Sequence, residues 1–124
     1  MHDVTATIDT YLAMWNERDP DARARLIEKA WTDDGSYVDP LLSADGHAEL
    51  SAMVEAVQTR FPEHRFQRTS GVDAHHDLVR VAWRLVRADG DVAVAGIDVG
   101  EVADDGRLQR IVGFFGELPP MEAA

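Results

Sequence analysis

The chain has 124 residues, 45% of them hydrophobic, and a net charge of −11, which describes one domain with enough apolar material for a core. The acidic balance excludes the basic footprint of a nucleic-acid binder and disfavours anionic membrane surfaces, and the absence of cysteine excludes disulfides, a thiolate nucleophile and zinc–thiolate sites. No run of about 18 apolar residues predicts a transmembrane helix, and Met1-His2-Asp3-Val4 lacks the basic and apolar regions of a signal peptide, so a cytoplasmic location is expected.

Val4, Ile8, Tyr11, Leu12 and Trp15 fall at helical spacing and predict a first helix from about Asp3 to Glu17, with Tyr11 facing inward. Asp19-Pro20 supplies an N-cap and a first-turn proline for a second helix. That helix is expected to bury Leu26, Ile27, Ala30 and Trp31 and to stop at Asp33-Asp34-Gly35. A short strand, Ser36 to Val38, leads into Asp39-Pro40, where the proline holds Asp39 extended or in a turn. Leu41 to Ala44 reads as a loop. Asp45-Gly46 opens a third helix with the stripe Leu50, Met53, Val54, Val57 and Phe61, closed by Phe61-Pro62.

The period then changes to two. Strands are expected over Phe66 to Asp73, Leu78 to Arg87, Val92 to Val102 and Leu108 to Phe115, joined by hairpin turns at Ala88-Asp89-Gly90-Asp91 and Asp104-Asp105-Gly106. A single domain over residues 1–117 with a loose tail over 118–124 is expected. The order predicts an α+β fold in which a curved antiparallel sheet wraps around three N-terminal helices and leaves a pocket at its open end.

Asp98 stands out because the run around it is uncharged. It shares a strand face with Val92, Val94, Gly96, Gly100 and Val102. A carboxylate on such a face must be paired, line a cavity or take up a proton, and perturbed carboxylates collect at functional sites. Its plainer role is to bond a buried tyrosine, tryptophan or backbone group. The opposite face carries Ala93, Ala95, Ile97 and Val99, an apolar surface that predicts a homodimer. Asp39 reads either as a catalytic carboxylate or as a turn former capping local amides. Tyr11 reads as a site residue or a core tyrosine. Trp15, Phe66, Trp83 and Phe114 are candidate walls of an apolar substrate pocket. His75 and His76 should point to opposite faces of a strand, so no shared metal ion is expected. Arg80 and Arg84 should point outward, opposite Val81 and Trp83.

Several segments together resemble the nuclear-transport-factor-2-like (SnoaL-like) superfamily across nearly the whole chain. They are Asp33-Asp34-Gly35 followed by Tyr37-Val38-Asp39-Pro40, Gly46 at the start of helix 3, Asp105-Gly106-Arg107-Leu108, and Gly113-Phe114-Phe115-Gly116. The resemblance implies a cone-shaped α+β barrel that hosts ketosteroid isomerases, polyketide cyclases, limonene epoxide hydrolases and pure binding domains. Within it, Tyr11-Leu12-Ala13-Met14-Trp15-Asn16 is similar to the ketosteroid isomerase segment bearing the oxyanion-hole tyrosine. Asp39-Pro40 is similar to the dipeptide of its general base, Ile97-Asp98 to the position of its protonated aspartic acid, and Phe115-Gly116-Glu117 to the end of its last strand.

By that similarity Asp39 would be the base, with Tyr11 and a protonated Asp98 as donors to the developing enolate. The ligand would be a small apolar carbonyl compound, with no cofactor. Leu41-Leu42 departs from the isomerase pattern, and Trp15 and Trp83 are bulky enough to shrink the pocket below steroid size. A non-catalytic ligand-binding or dimerisation domain, and a scaffold with a filled-in pocket, are the alternatives.

Overall fold

The computed structural model describes residues 3–122. Helix α1 spans Val4–Asn16, and the Asp3 carboxylate caps it by accepting from the Ala6 amide at 3.0 Å. Helix α2 spans Pro20–Ala30, with Asp19 accepting from the Ala22 amide at 3.0 Å and Pro20 in the first turn. It stops earlier than expected. Trp31 is already extended (φ −122°, ψ 144°) and opens strand β1, Trp31–Val38. Trp31 is buried in either conformation, so apolar spacing cannot choose between helix and strand. Pairing decides: Trp31 lies opposite Leu108 of the last strand, and the register shifts before Ser36. Gly35 sits in that irregular stretch, where a Cβ would come within 2.5 Å of the Trp31 ring.

Strand β2, Ser43–Asp45, replaces the end of the expected loop and pairs antiparallel with β1. Helix α3, His47–Arg60, follows Gly46, whose φ of +83° suits a residue without a Cβ. The single strand expected over Phe66 to Asp73 is two short ones, β3 (His64–Arg68) and β4 (Asp73–His75), broken over residues 69–72. Both pair with β5, Leu78–Arg87. β6 (Val92–Val102) and β7 (Leu108–Phe115) complete an unclosed sheet of order β2-β1-β7-β6-β5-β3. The β1–β7 pair is parallel, so the sheet is mixed rather than wholly antiparallel. Three helices and a curved sheet otherwise form the architecture read from the sequence.

The core lies between the helices and the concave face, with Ile8, Met14, Ile27, Leu50 and Val54 packed against Trp31, Val79, Val81, Leu108 and Ile111. Arg23 is buried among the helices, with no carboxylate within 4.0 Å among the described residues. Its guanidinium donates to the carbonyls of Glu17, Arg18 and Ser51, to Ser51 Oγ and to Gln58 Oε1. These bonds tie the α1–α2 turn to α3. On the convex face, Ala93, Ala95, Ile97 and Val99 of β6 are exposed. His75 and His76 are not on opposite faces. His76 takes φ +53° at the end of β4, and the two Nδ1 atoms lie 3.0 Å apart. Among the described residues, no helix is long and apolar enough to cross a membrane. Residues 118–122 form neither helix nor strand, and the last two residues of the expected tail lie outside the described residues.

Candidate functional site

Between the helices and the concave face lies a cavity of about 450 Å³, within the range of pockets that hold small molecules. Trp15 and Trp83 form part of its wall rather than filling it, so the filled-in scaffold is overturned. A chain of ring contacts runs Tyr37–Trp15–Phe66–Trp83–Phe115, with centroids 5.1 to 6.0 Å apart. Tyr11, Trp15, Asp39, Phe66, Trp83 and Asp98 all border the cavity. Phe114 does not. It is 61% exposed on the convex face opposite Ile97, and Phe115 lines the cavity in its place. The physical reason is parity. Gly113 lies opposite Asp98 and turns inward with it, which sends Phe114 outward and Phe115 back in. The uniformly apolar run Ile111 to Phe115 carries no alternation from which that parity could be read.

At the cavity floor, Asp98 is 3% exposed and receives two hydrogen bonds. Tyr11 Oη donates to Oδ2 at 2.7 Å and Trp83 Nε1 donates to Oδ1 at 3.1 Å. The Asp98 carboxyl is raised from 3.8 to about 6: burial pushes it up, the two donors pull part of the way back, and the nearby Asp39 charge adds to the rise. Burial and the Asp98 charge hold the Tyr11 hydroxyl well above the ordinary range, so it is a neutral donor.

The donor valences fix how this triad works. An indole N–H only donates, so Oδ1 must accept in either charge state. A protonated Asp98 therefore carries its proton on Oδ2 and gives it to Tyr11 Oη, which frees the Tyr11 proton for another acceptor. An ionised Asp98 instead draws the Tyr11 proton toward itself. The two groups stand in series, Trp83 to Asp98 to Tyr11, rather than side by side.

Asp39 sits at the end of β1, half-buried beside the cavity. Its Oδ1 accepts from the amides of Leu41 and Leu42, both at 2.8 Å, which is the loop-capping role. Its Oδ2 accepts from Tyr37 Oη at 2.7 Å. The sequence names Tyr37 only as part of the Tyr37-Val38-Asp39-Pro40 segment; its role beside Asp39 depends on the fold of the β1 end. Its hydroxyl is also raised, first by burial and then by the charges of Asp98 and Asp39. Gly113 binds the two halves together. A Cβ there would lie 2.9 Å from Asp98 Oδ1, 3.2 Å from Asp39 Cβ and 3.3 Å from Tyr37 Oη. The Asp98 carboxylate, the Asp39 side-chain stem and the Tyr37 hydroxyl thus pack around one point that has room only for a glycine. Among the described residues, no group of three His, Cys, Asp or Glu side chains is arranged to hold a metal ion.

The family model of the SnoaL-like domain matches residues 8–111. The chain belongs to the SnoaL-like family. A candidate isomerase of that family from Agrobacterium tumefaciens is 38% identical, with a TM-score of 0.85 over 90% of this chain and 96% of that one. A nuclear-transport-factor-2-like protein of unknown function from Exiguobacterium sp. 255-15 is 20% identical, with a TM-score of 0.71 over 90% and 99%. A candidate SnoaL-like polyketide cyclase from Jannaschia sp. CCS1 is 18% identical, with a TM-score of 0.66 over 88% and 84%. These last two likenesses show the shared fold. No curated protein matches the chain.

Proposed function

We propose that this SnoaL-like protein is a cofactor-free isomerase or cyclase that moves a proton at the carbon next to a carbonyl. The observation that carries this reading is the convergence of Asp39, Asp98 and Tyr37 around Gly113, with Tyr11 bonded behind Asp98. The substrate carbonyl oxygen accepts the Tyr11 proton, with Asp98 and Trp83 reinforcing that donor from behind. Asp39 removes the α-proton, and the C–H electrons pass into an enolate whose oxygen Tyr11 holds. A carboxylate offers about four lone-pair sites. Three are taken by Leu41, Leu42 and Tyr37, which aim Asp39 and leave one lone pair for the proton. Returning the proton from Asp39 to another carbon completes an isomerisation; attack of the enolate carbon on a second carbonyl closes a ring by breaking that C=O π bond, and the resulting alkoxide takes the proton back from Asp39.

A second reading, a domain that binds an apolar ligand without chemistry, is favoured by the same two amide bonds, since a turn-forming aspartate makes them without catalysis. Exchange of the α-hydrogens of 2-tetralone in D2O, followed by NMR, separates the two. The enzyme reading expects exchange above the buffer rate and a loss of roughly 100-fold or more in Asp39→Asn. Binding without exchange, or a full rate in Asp39→Asn, overturns it. The exposed β6 face motivates the further proposal that the protein is a homodimer.

A further inference from the structure

Among the described residues, three charged side chains border the cavity: Asp39, Asp98 and Arg60. The first two have defined partners. Arg60 has no acid. Elsewhere, Arg68, Arg80, Arg87 and Arg107 each approach a carboxylate within 4.0 Å. Among the described residues no carboxylate lies that close to Arg60, in a chain with 23 acidic residues against 12 basic ones. Other arginines without an acid partner do not border the cavity. The Arg60 guanidinium instead lies over the Phe61 ring, 5.8 Å from its centroid, and Phe61 is itself a wall of the cavity. The end of α3 favours a basic residue through the helix dipole, but that attraction does not place the side chain at a cavity.

The sheet register fixes where Arg60 stands relative to the floor. The Phe61 ring packs on His64, which pairs with Arg87 beyond the Phe66–Leu85–Val94 layer. Asp98 lies four residues deeper on β6, which is ~13 Å at about 3.3 Å per residue. Arg60 therefore marks the rim and Asp98 the floor, with aromatic wall between them.

We propose that Arg60 selects ligands bearing a carboxylate at the end opposite the reacting carbonyl, so that the ligand class is an apolar, ring-containing keto acid roughly 10 Å long. The apolar body lies along the Trp15, Phe66, Trp83 and Phe115 rings. The carboxylate meets the planar donor fork of Arg60 at the rim, kept away from the two aspartates that would repel it. This deepens the carbonyl reading of the same cavity and rests on it.

The test compares 2-naphthol, an enol mimic, with 6-hydroxy-2-naphthoate and its chain-extended acetic and propanoic acids, by titration calorimetry at pH 7. At least one acid should bind tenfold or more tightly than 2-naphthol in the wild type, and the gain should shrink with added salt. In Arg60→Gln the ratio of the two Kd values should collapse to about one, and Arg60→Lys should restore part of it. Arg25→Gln, an exposed change of the same charge outside the cavity, should leave the ratio alone. The proposal is overturned if no acid outbinds 2-naphthol, if the gain survives in Arg60→Gln, or if no probe binds. Failure of 2-tetralone exchange would sink the catalytic reading while leaving the Kd ratio intact, so the two can fail separately.

Discussion

Replacing Asp98 by asparagine tests the series arrangement at the cavity floor. Asparagine reproduces the hydrogen-bond pattern of the protonated acid: its Oδ1 accepts from Trp83 Nε1, and its Nδ2 donates to Tyr11 Oη. The variant should therefore resemble a wild type permanently protonated at this position. In the folded chain the Asp98 carboxyl is raised from 3.8 to about 6, chiefly by burial. The folded state thus holds this proton more tightly than the unfolded state. The stability contributed by the protonated group is fully present below the unfolded value, declines as pH rises, and is gone above the folded value. At 1.36 kcal/mol per pH unit, the rise corresponds to about 3 kcal/mol. Urea unfolding of both proteins between pH 4 and pH 8 isolates this group, because the other carboxylates cancel in the difference. Asp98→Asn should gain about 3 kcal/mol on the wild type across that range, most of it below about pH 6. A difference that stays flat, or that favours the wild type as pH rises, refutes the reasoning. Binding of 2-naphthol offers a second readout. It should weaken in the wild type as Asp98 ionises and draws the Tyr11 proton away, and it should lose that dependence in the variant.

Trp83→Phe keeps an aromatic ring in the wall but removes a donor that lowers the Asp98 value, so the midpoint of that pH dependence should move upward; carboxyl NMR of Asp98 reads the shift directly. Gly113→Ala places a Cβ 2.9 Å from Asp98 Oδ1; it should cost about 1–3 kcal/mol of stability by overpacking and slow 2-tetralone exchange, checked by urea unfolding and NMR. The homodimer proposal expects a dimer at micromolar concentration in analytical ultracentrifugation and a monomer in Ile97→Glu, which puts a charge in the middle of the exposed β6 face. A monomeric wild type at that concentration contradicts it.

Tyr11, Asp98 and the cone were legible in the sequence because each depends on a local period. Tyr11 sits on a 3.6-residue stripe that only an inward-facing helix explains, and Asp98 interrupts an uncharged run whose inward face alternates every second residue. Asp19-Pro20 announced the start of α2 through a side chain that satisfies an amide within the next turn, whereas the Asp3 cap of α1 emerged only from the structure. The exit from α2 was not legible. Trp31 is buried whether helical or extended, and only its pairing with Leu108, far along the chain, makes it a strand. That pairing is parallel, which a local pattern of strands and turns does not reveal.

The same limit governs the site. The sequence pointed to Asp39 and Asp98 separately, but their meeting around Gly113, the recruitment of Tyr37, the inward turn of Phe115 and the outward turn of Phe114 are consequences of register between strands distant in sequence. The arrangement of Trp83, Asp98 and Tyr11 in one line, and the placing of Arg60 over a cavity wall, belong to that class too. A residue's own neighbours determine which face it turns toward, because backbone geometry repeats every two or 3.6 residues. What it meets on that face is decided by chain segments 15 to 87 residues away, as for the Trp83 and Tyr11 bonds to Asp98, and only the packed tertiary structure brings those together.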